Sequence, residues 1–173
     1  MPRPSRGTSA AGEPHDELAA VRSSYWGRIP SPLTRLLGRE AELAACIAMA
    51  RTQDARLISL VGPGGIGKTR LATEVATSLA DDFPGSVYFV DLAAVARPDM
   101  VLAVVATAVG LVSEHATLPE AISRRLGGQR SLLVLDTFEH LLDAGPAVGE
   151  LLEACPDLTA LVTSRAPLHV RGE

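Results

Sequence analysis

Hydrophobic and polar positions along the chain fall into blocks of differing period. From Glu40 the pattern is helical: Leu43, Ile47 and Ala50 share one face, and Glu40, Glu42 and Arg51 lie off it. Arg56 to Val61 is a short, partly β-branched apolar run and predicts a strand. A helix is predicted after Gly67, with Leu71, Val75, Ala76 and Leu79 at helical spacing, stopped between Asp81 and Gly85 by Pro84 and Gly85. Ser86 to Asp91 predicts a second strand. Asp99 is expected to cap a helix running to about Val109 and closed by Gly110. Leu118 to Leu126 predicts a shorter helix, opened by Thr117 or Pro119 and ended by Gly127 and Gly128. Ser131 to Asp136 is a third strand, Glu139 to Ala154 a helix weakened by Gly145 and Pro146, and Leu158 to Thr163 a fourth strand.

Strands therefore alternate with helices, and most strands are apolar at every position. Strands buried on both faces need that pattern, which belongs to a parallel sheet covered by helices. The expected fold class is α/β, with a mostly parallel sheet between two helical layers. Residues 1–29 are rich in Pro, Arg, Gly, Ser and Ala without a hydrophobic period and are expected to be a disordered tail. Residues 30–173 form the expected domain.

Composition changes this picture little. Apolar residues make up 47% of the 173 and charged residues 21%, enough apolar material for a real core. Aromatics are only 3%, so that core must be built from Leu, Val, Ile and Ala. A net charge of −4 gives no general attraction to nucleic acid or anionic membranes, and no basic patch or helix-turn-helix is visible. The longest apolar run, Met100 to Val112, is too short to span a bilayer. With no signal peptide at the start, a cytoplasmic location is expected. Cys46 and Cys155 lie in no metal-binding spacing and read as small buried apolar residues.

Candidate chemistry begins where the first strand ends. Gly62-Pro63-Gly64-Gly65-Ile66-Gly67-Lys68-Thr69 matches the full P-loop pattern. Glycines allow a tight turn and close backbone approach to phosphate oxygens, and successive N–H groups form an anion-binding nest. The helix beginning near Gly67 adds its positive N-terminal end. Lys68, the only lysine in the chain, would reach the phosphates, and the Thr69 hydroxyl would hold Mg²⁺. Arg70 either adds a contact or is simply exposed. The third strand ends in Asp136, which fits a Walker B carboxylate ordering Mg²⁺ through water. Many hydrolysing P-loop enzymes carry Glu next; here it is Thr137, with Glu139 and His140 slightly beyond. The pattern supports Mg–nucleotide binding more than fast hydrolysis. Arg165, at the end of the fourth strand, either reports a γ-phosphate or is a plain surface residue.

Four segments occur in order: Pro32-Leu-Thr-Arg-Leu-Leu-Gly-Arg-Glu40, the P-loop, Leu132-Leu-Val-Leu-Asp-Thr-Phe-Glu-His-Leu-Leu-Asp-Ala144, and Leu161-Val-Thr-Ser-Arg-Ala-Pro-Leu168. Together they resemble the P-loop ATPase domain of the STAND class, close to NB-ARC, as found in bacterial LuxR-type and AfsR-type (SARP) transcriptional regulators. The resemblance covers about Pro30 to Glu173. It implies ATP or ADP as the nucleotide, Gly38 and Arg39 as contacts near the adenine and ribose, Asp136 as the Walker B Asp, and Arg165 as the sensor Arg. Such domains usually carry Asn or Asp where Thr137 stands. They act as nucleotide-dependent switches, which requires two conformers that bind the two nucleotides differently. They also continue into a helical lid, a winged helix and effector domains, and carry a fifth strand beside the P-loop strand. The absence of these here is expected to mean a truncation or fragment, with an exposed sheet edge or one covered by self-association. A slow or non-hydrolysing regulatory module is the first reading, with other domains or copies of a regulator as partners. A genuine ATP hydrolase and a partner-binding fragment of weak nucleotide affinity are the alternatives.

Overall fold

A computed structural model describes residues 29–30, 36–52, 55–84, 86–111, 116–171 and 173. The expected tail, nearly all of residues 1–29, and Pro32 to Arg35 of the lead-in lie outside the described residues. The elements run α1 (Glu40–Arg51), β1 (Leu57–Val61), α2 (Lys68–Ser78), β2 (Val87–Asp91), α3 (Val101–Ala108), α4 (Leu118–Leu126), β3 (Ser131–Asp136), α5 (Gly145–Ala154) and β4 (Leu158–Ser164). The strands form one four-stranded sheet in the order β1-β4-β3-β2, and every pairing is parallel. This is the three-layer α/β architecture of a P-loop NTPase.

The continuously apolar strands are explained by their two faces. Successive side chains point to opposite sides of a strand. Leu132 and Val134 enter a core with Ile58, Phe89 and Leu161 under α1 and α2. Leu133 and Leu135 enter a second core with Val90, Ala160 and Val162 under α3, α4 and α5. All six residues of β3 are buried, as a central strand covered on both sides must be. Cys46 and Cys155 are free and buried, one in each core.

Helix ends follow local chemistry, with two departures from expectation. Gly127 adopts φ 63° and donates to the Ser123 carbonyl, a left-handed C-cap that closes α4. Asp99 does not cap α3. It lies in a 3₁₀ turn, Pro98–Met100, where the Arg97 guanidinium binds its carboxylate at 3.0 Å. An adjacent cation outcompetes the helix N–H groups for this acid. The helix expected from Glu139 starts instead at Gly145, after 3₁₀ turns at Phe138–His140 and Leu142–Ala144. Pro146 has no N–H and a fixed φ, so it opens α5 rather than weakening its middle.

Among the described residues β1 is an edge strand, bonded laterally to β4 alone. After β4 the chain lies against α5. A Cβ on Gly145 would come within 3.0 Å of the Leu168 carbonyl, and one on Gly149 within 3.1 Å of the Val170 side chain, so glycine at both positions suits this close approach. The Glu173 carboxylate accepts from the N–H groups of Leu168 (2.9 Å) and His169 (2.7 Å) and fastens the segment.

Candidate nucleotide site

Parallel pairing brings the C-terminal ends of the strands to one edge of the sheet, where Val61 pairs with Ser164 and Asp91 with Asp136. Ligands of open α/β sheets bind outside such strand ends. The loop from Gly62 to Gly67 rises from β1 into α2. Gly65 (φ 80°) and Gly67 (φ 85°) both sit in the left-handed region, so glycine is needed at each. The loop is exposed from Pro63 to Ile66.

Lys68 is the first residue of α2, and only 9% of it is exposed. Its Nζ donates to the carbonyls of Gly62 (2.8 Å) and Pro63 (3.0 Å). The ammonium is thereby held beneath the loop, paired with neutral acceptors only, a position from which an anion could draw it. Thr69 and half-buried Arg70 follow in the first turn of α2.

Asp136 closes β3 and is 4% exposed. Its Oδ1 accepts from the Thr69 hydroxyl at 2.9 Å and from the Thr163 hydroxyl at 2.5 Å. Burial pushes its carboxyl above the usual value, the bonds from Thr163 and Thr69 oppose that, and the nearby Asp91 carboxylate adds to it. A buried carboxylate bonded to a helix-N-terminal hydroxyl is a donor set that suits a hard cation such as Mg²⁺. Among the described residues no group of three or more His, Cys, Asp or Glu forms a metal cage.

Thr163 was not singled out by its sequence pattern. It accepts from the Thr137 N–H at 2.9 Å while donating to Asp136, so one hydroxyl ties β4 to the turn after β3. Its only signal is its place in β4, one residue before the strand's end. Thr137 itself adopts φ 64°, a costly conformation for a β-branched residue. That backbone turns Glu139 toward β4, where its Oε1 accepts from Arg165 Nε at 2.8 Å. An Nη of the same guanidinium stands 3.3 Å from where a Cβ on Gly64 would be, so Arg165 lies over the phosphate loop. His140 is directed elsewhere, its Nε2 bonded at 2.8 Å to the Val95 carbonyl.

Arg39 precedes α1 and reaches the loop at Ile66. Its Nη1 donates to the Ile66 carbonyl at 2.9 Å and its Nε to Glu42 at 3.1 Å. Gly38 (φ 73°) forms the exposed turn before it. Lys68, Thr69, Asp136, Arg39 and Arg165 thus converge on one loop.

A family model described as an AAA domain matches residues 50–170. The chain belongs to this AAA domain family. Over 120 residues it is 47% identical to a candidate HTH-type transcriptional regulator of Mycobacterium bovis, a match that spans 68% of this chain and 13% of that protein. Over 152 residues it is 32% identical to the regulatory protein AfsR of Streptomyces griseus, spanning 80% of this chain and 15% of AfsR. The AAA domain thus spans about an eighth to a seventh of these two relatives. A solved structure of Drosophila ORC bound to DNA shares its fold, with a TM-score of 0.52 and 14% identity over 95% of this chain and 47% of that one. No helix among the described residues is long and apolar enough to cross a membrane.

Proposed function

We propose that this AAA domain is the ATP/ADP-binding module of a STAND-type transcriptional regulator, in which residues 30–173 form a nucleotide-dependent switch with slow or no hydrolysis. The observation that carries the reading is the site around Lys68. The chain's single lysine is buried beneath a glycine-rich loop, beside a Thr69–Asp136 pair at the strand ends. The loop N–H groups, the start of α2 and Lys68 would hold phosphates. Thr69 would bind Mg²⁺ directly and Asp136 through water, with the metal supplying positive charge against the phosphate oxygens. Arg39 is assigned to the base and ribose side, and Arg165 to the terminal phosphate.

Slow turnover follows from the residues beyond Asp136. Thr137 stands directly after Asp136 and carries no group able to take a proton from an attacking water. The names of the relatives, an HTH-type regulator and AfsR, support a role inside a gene-regulatory protein whose other domains read the state of this one.

The test is titration of the chain with ATP and ADP, with and without Mg²⁺, alongside a phosphate-release assay. Micromolar binding with little release is expected. Turnover well above about one per second would make it a true hydrolase instead. No binding of either nucleotide would favour a partner-binding fragment.

A further inference from the structure

The Arg165–Glu139 pair has the properties of an exchangeable contact rather than a structural one. The two side chains are unequal. Arg165 is 65% exposed and Glu139 20%. The guanidinium is therefore the mobile partner, and an exposed pair of this kind is weak and easily displaced. The carboxylate is the fixed one. Its neighbour Phe138 is fully buried, His140 is bonded to the Val95 carbonyl, and the turn is tied to β4 through the Thr137 N–H and Thr163.

The pair also stands in the right place. The guanidinium that Glu139 holds already overlies Gly64. Carboxylate and phosphate offer a guanidinium the same recognition, two acceptor oxygens in a plane. A phosphate arriving at the loop therefore competes with Glu139 for one cation. The phosphate farthest from the nucleoside is the one that a triphosphate has and a diphosphate lacks.

We propose that Glu139 is the resident counter-ion of Arg165, a carboxylate that holds the guanidinium until a terminal phosphate takes it, and so sets how strongly the domain distinguishes triphosphate from diphosphate. This rests on the loop being a phosphate site with Arg165 as its sensor. Glu139 acts through Arg165 and is a positioning residue. Its charge lowers affinity for the triphosphate selectively, keeping the two nucleotides closer in affinity than the loop and Arg165 alone would. Exchange also frees the carboxylate, so the two liganded forms differ in the ion pair made at the turn after β3.

The experiment is an equilibrium titration of wild type, Glu139→Gln, Arg165→Ala and the double variant with Mg-ATP and with Mg-ADP. Glu139→Gln is expected to tighten ATP by about two- to fivefold, the range of an exposed ion pair, and to leave ADP unchanged. In the Arg165→Ala background the same substitution should change neither. Equal tightening of ATP and ADP would overturn the proposal, because loss of a negative charge would then act through the general field. A gain for ATP that persists without Arg165 would overturn it too. Failure of wild type to bind ADP would instead bring down the phosphate-loop reading itself, a result distinct from ADP binding with no selective effect at Glu139.

Discussion

Substitution of Lys68 by Ala separates the ligand-holding role of the ammonium from any role in folding. In the folded chain Nζ donates to two loop carbonyls at 2.8 and 3.0 Å. A bound phosphate would replace these neutral acceptors with charged ones. Hydrogen bonds with one charged partner contribute about 1.5–3 kcal/mol each, and exchanging a neutral acceptor for an anionic one moves a bond from the lower to the upper end of that range, a gain of about 1.5 kcal/mol. Two such exchanges give a net loss of about 3 kcal/mol in the variant, or roughly 100-fold in Kd. Stability without ligand should hardly move. Pro63 is exposed and Gly62 half-buried, so their carbonyls rehydrate once the ammonium is gone. Thermal melting reads both effects at once. At a nucleotide concentration of about 100 Kd, wild type gains about 2.7 kcal/mol from ligand, whereas a variant weakened 100-fold gains only about 0.4 kcal/mol. For a chain of this size those values correspond to shifts of roughly 5–11 °C and 1–2 °C. Equal shifts for the two proteins would refute the reasoning, as would a variant that melts far below wild type without ligand.

Other consequences concern the strand-end cluster. Thr163→Val keeps shape but removes a hydroxyl that serves Asp136 and the Thr137 N–H at 1% exposure; urea unfolding should show a loss of about 2–3 kcal/mol. Thr137→Asn places a residue that tolerates left-handed backbone at φ 64°, and the same measurement should show a gain of up to about 1 kcal/mol. Asp136 has a folded pKa above the ordinary 3.8, so its contribution to stability is fully present below pH 3.8 and is lost as pH rises through the folded pKa. Asp136→Asn should therefore melt higher than wild type in neutral, metal-free buffer, with the difference vanishing on acidification below that pH. The same variant should lose the Mg²⁺ dependence of nucleotide affinity in a titration.

The sheet was legible because most strands are short apolar runs, the pattern of strands buried on both faces, and because they alternate with helical segments. Lys68, Thr69 and Asp136 were legible as neighbours because their motifs are local and each adjoins a strand end. What escaped the sequence depends on register or on competition. Thr163 meets Asp136 only because β4 is bonded between β1 and β3, which no local pattern encodes. Glu139 has the spacing of a helix start, yet the stretch forms two 3₁₀ turns, the second ending at Ala144, before α5 opens at Gly145. Asp99 has the spacing of a cap, but its carboxylate is taken by Arg97. The departure at Thr137 acquires a physical meaning. The position is left-handed, so Asn or Asp would be conformationally at ease there, and Thr is not.

The two glycines of α5 have a mechanical consequence. Ser164 Oγ accepts from the Ala166 N–H at 3.2 Å, and two residues later the backbone is seated against Gly145. Little slack remains between the guanidinium of Arg165 and the point where the chain is fastened to the helix. Tension on residues 168–170 would thus reach the phosphate side of the domain as a displacement, with no rearrangement of the sheet. The segment is a short tether between the end of β4 and α5.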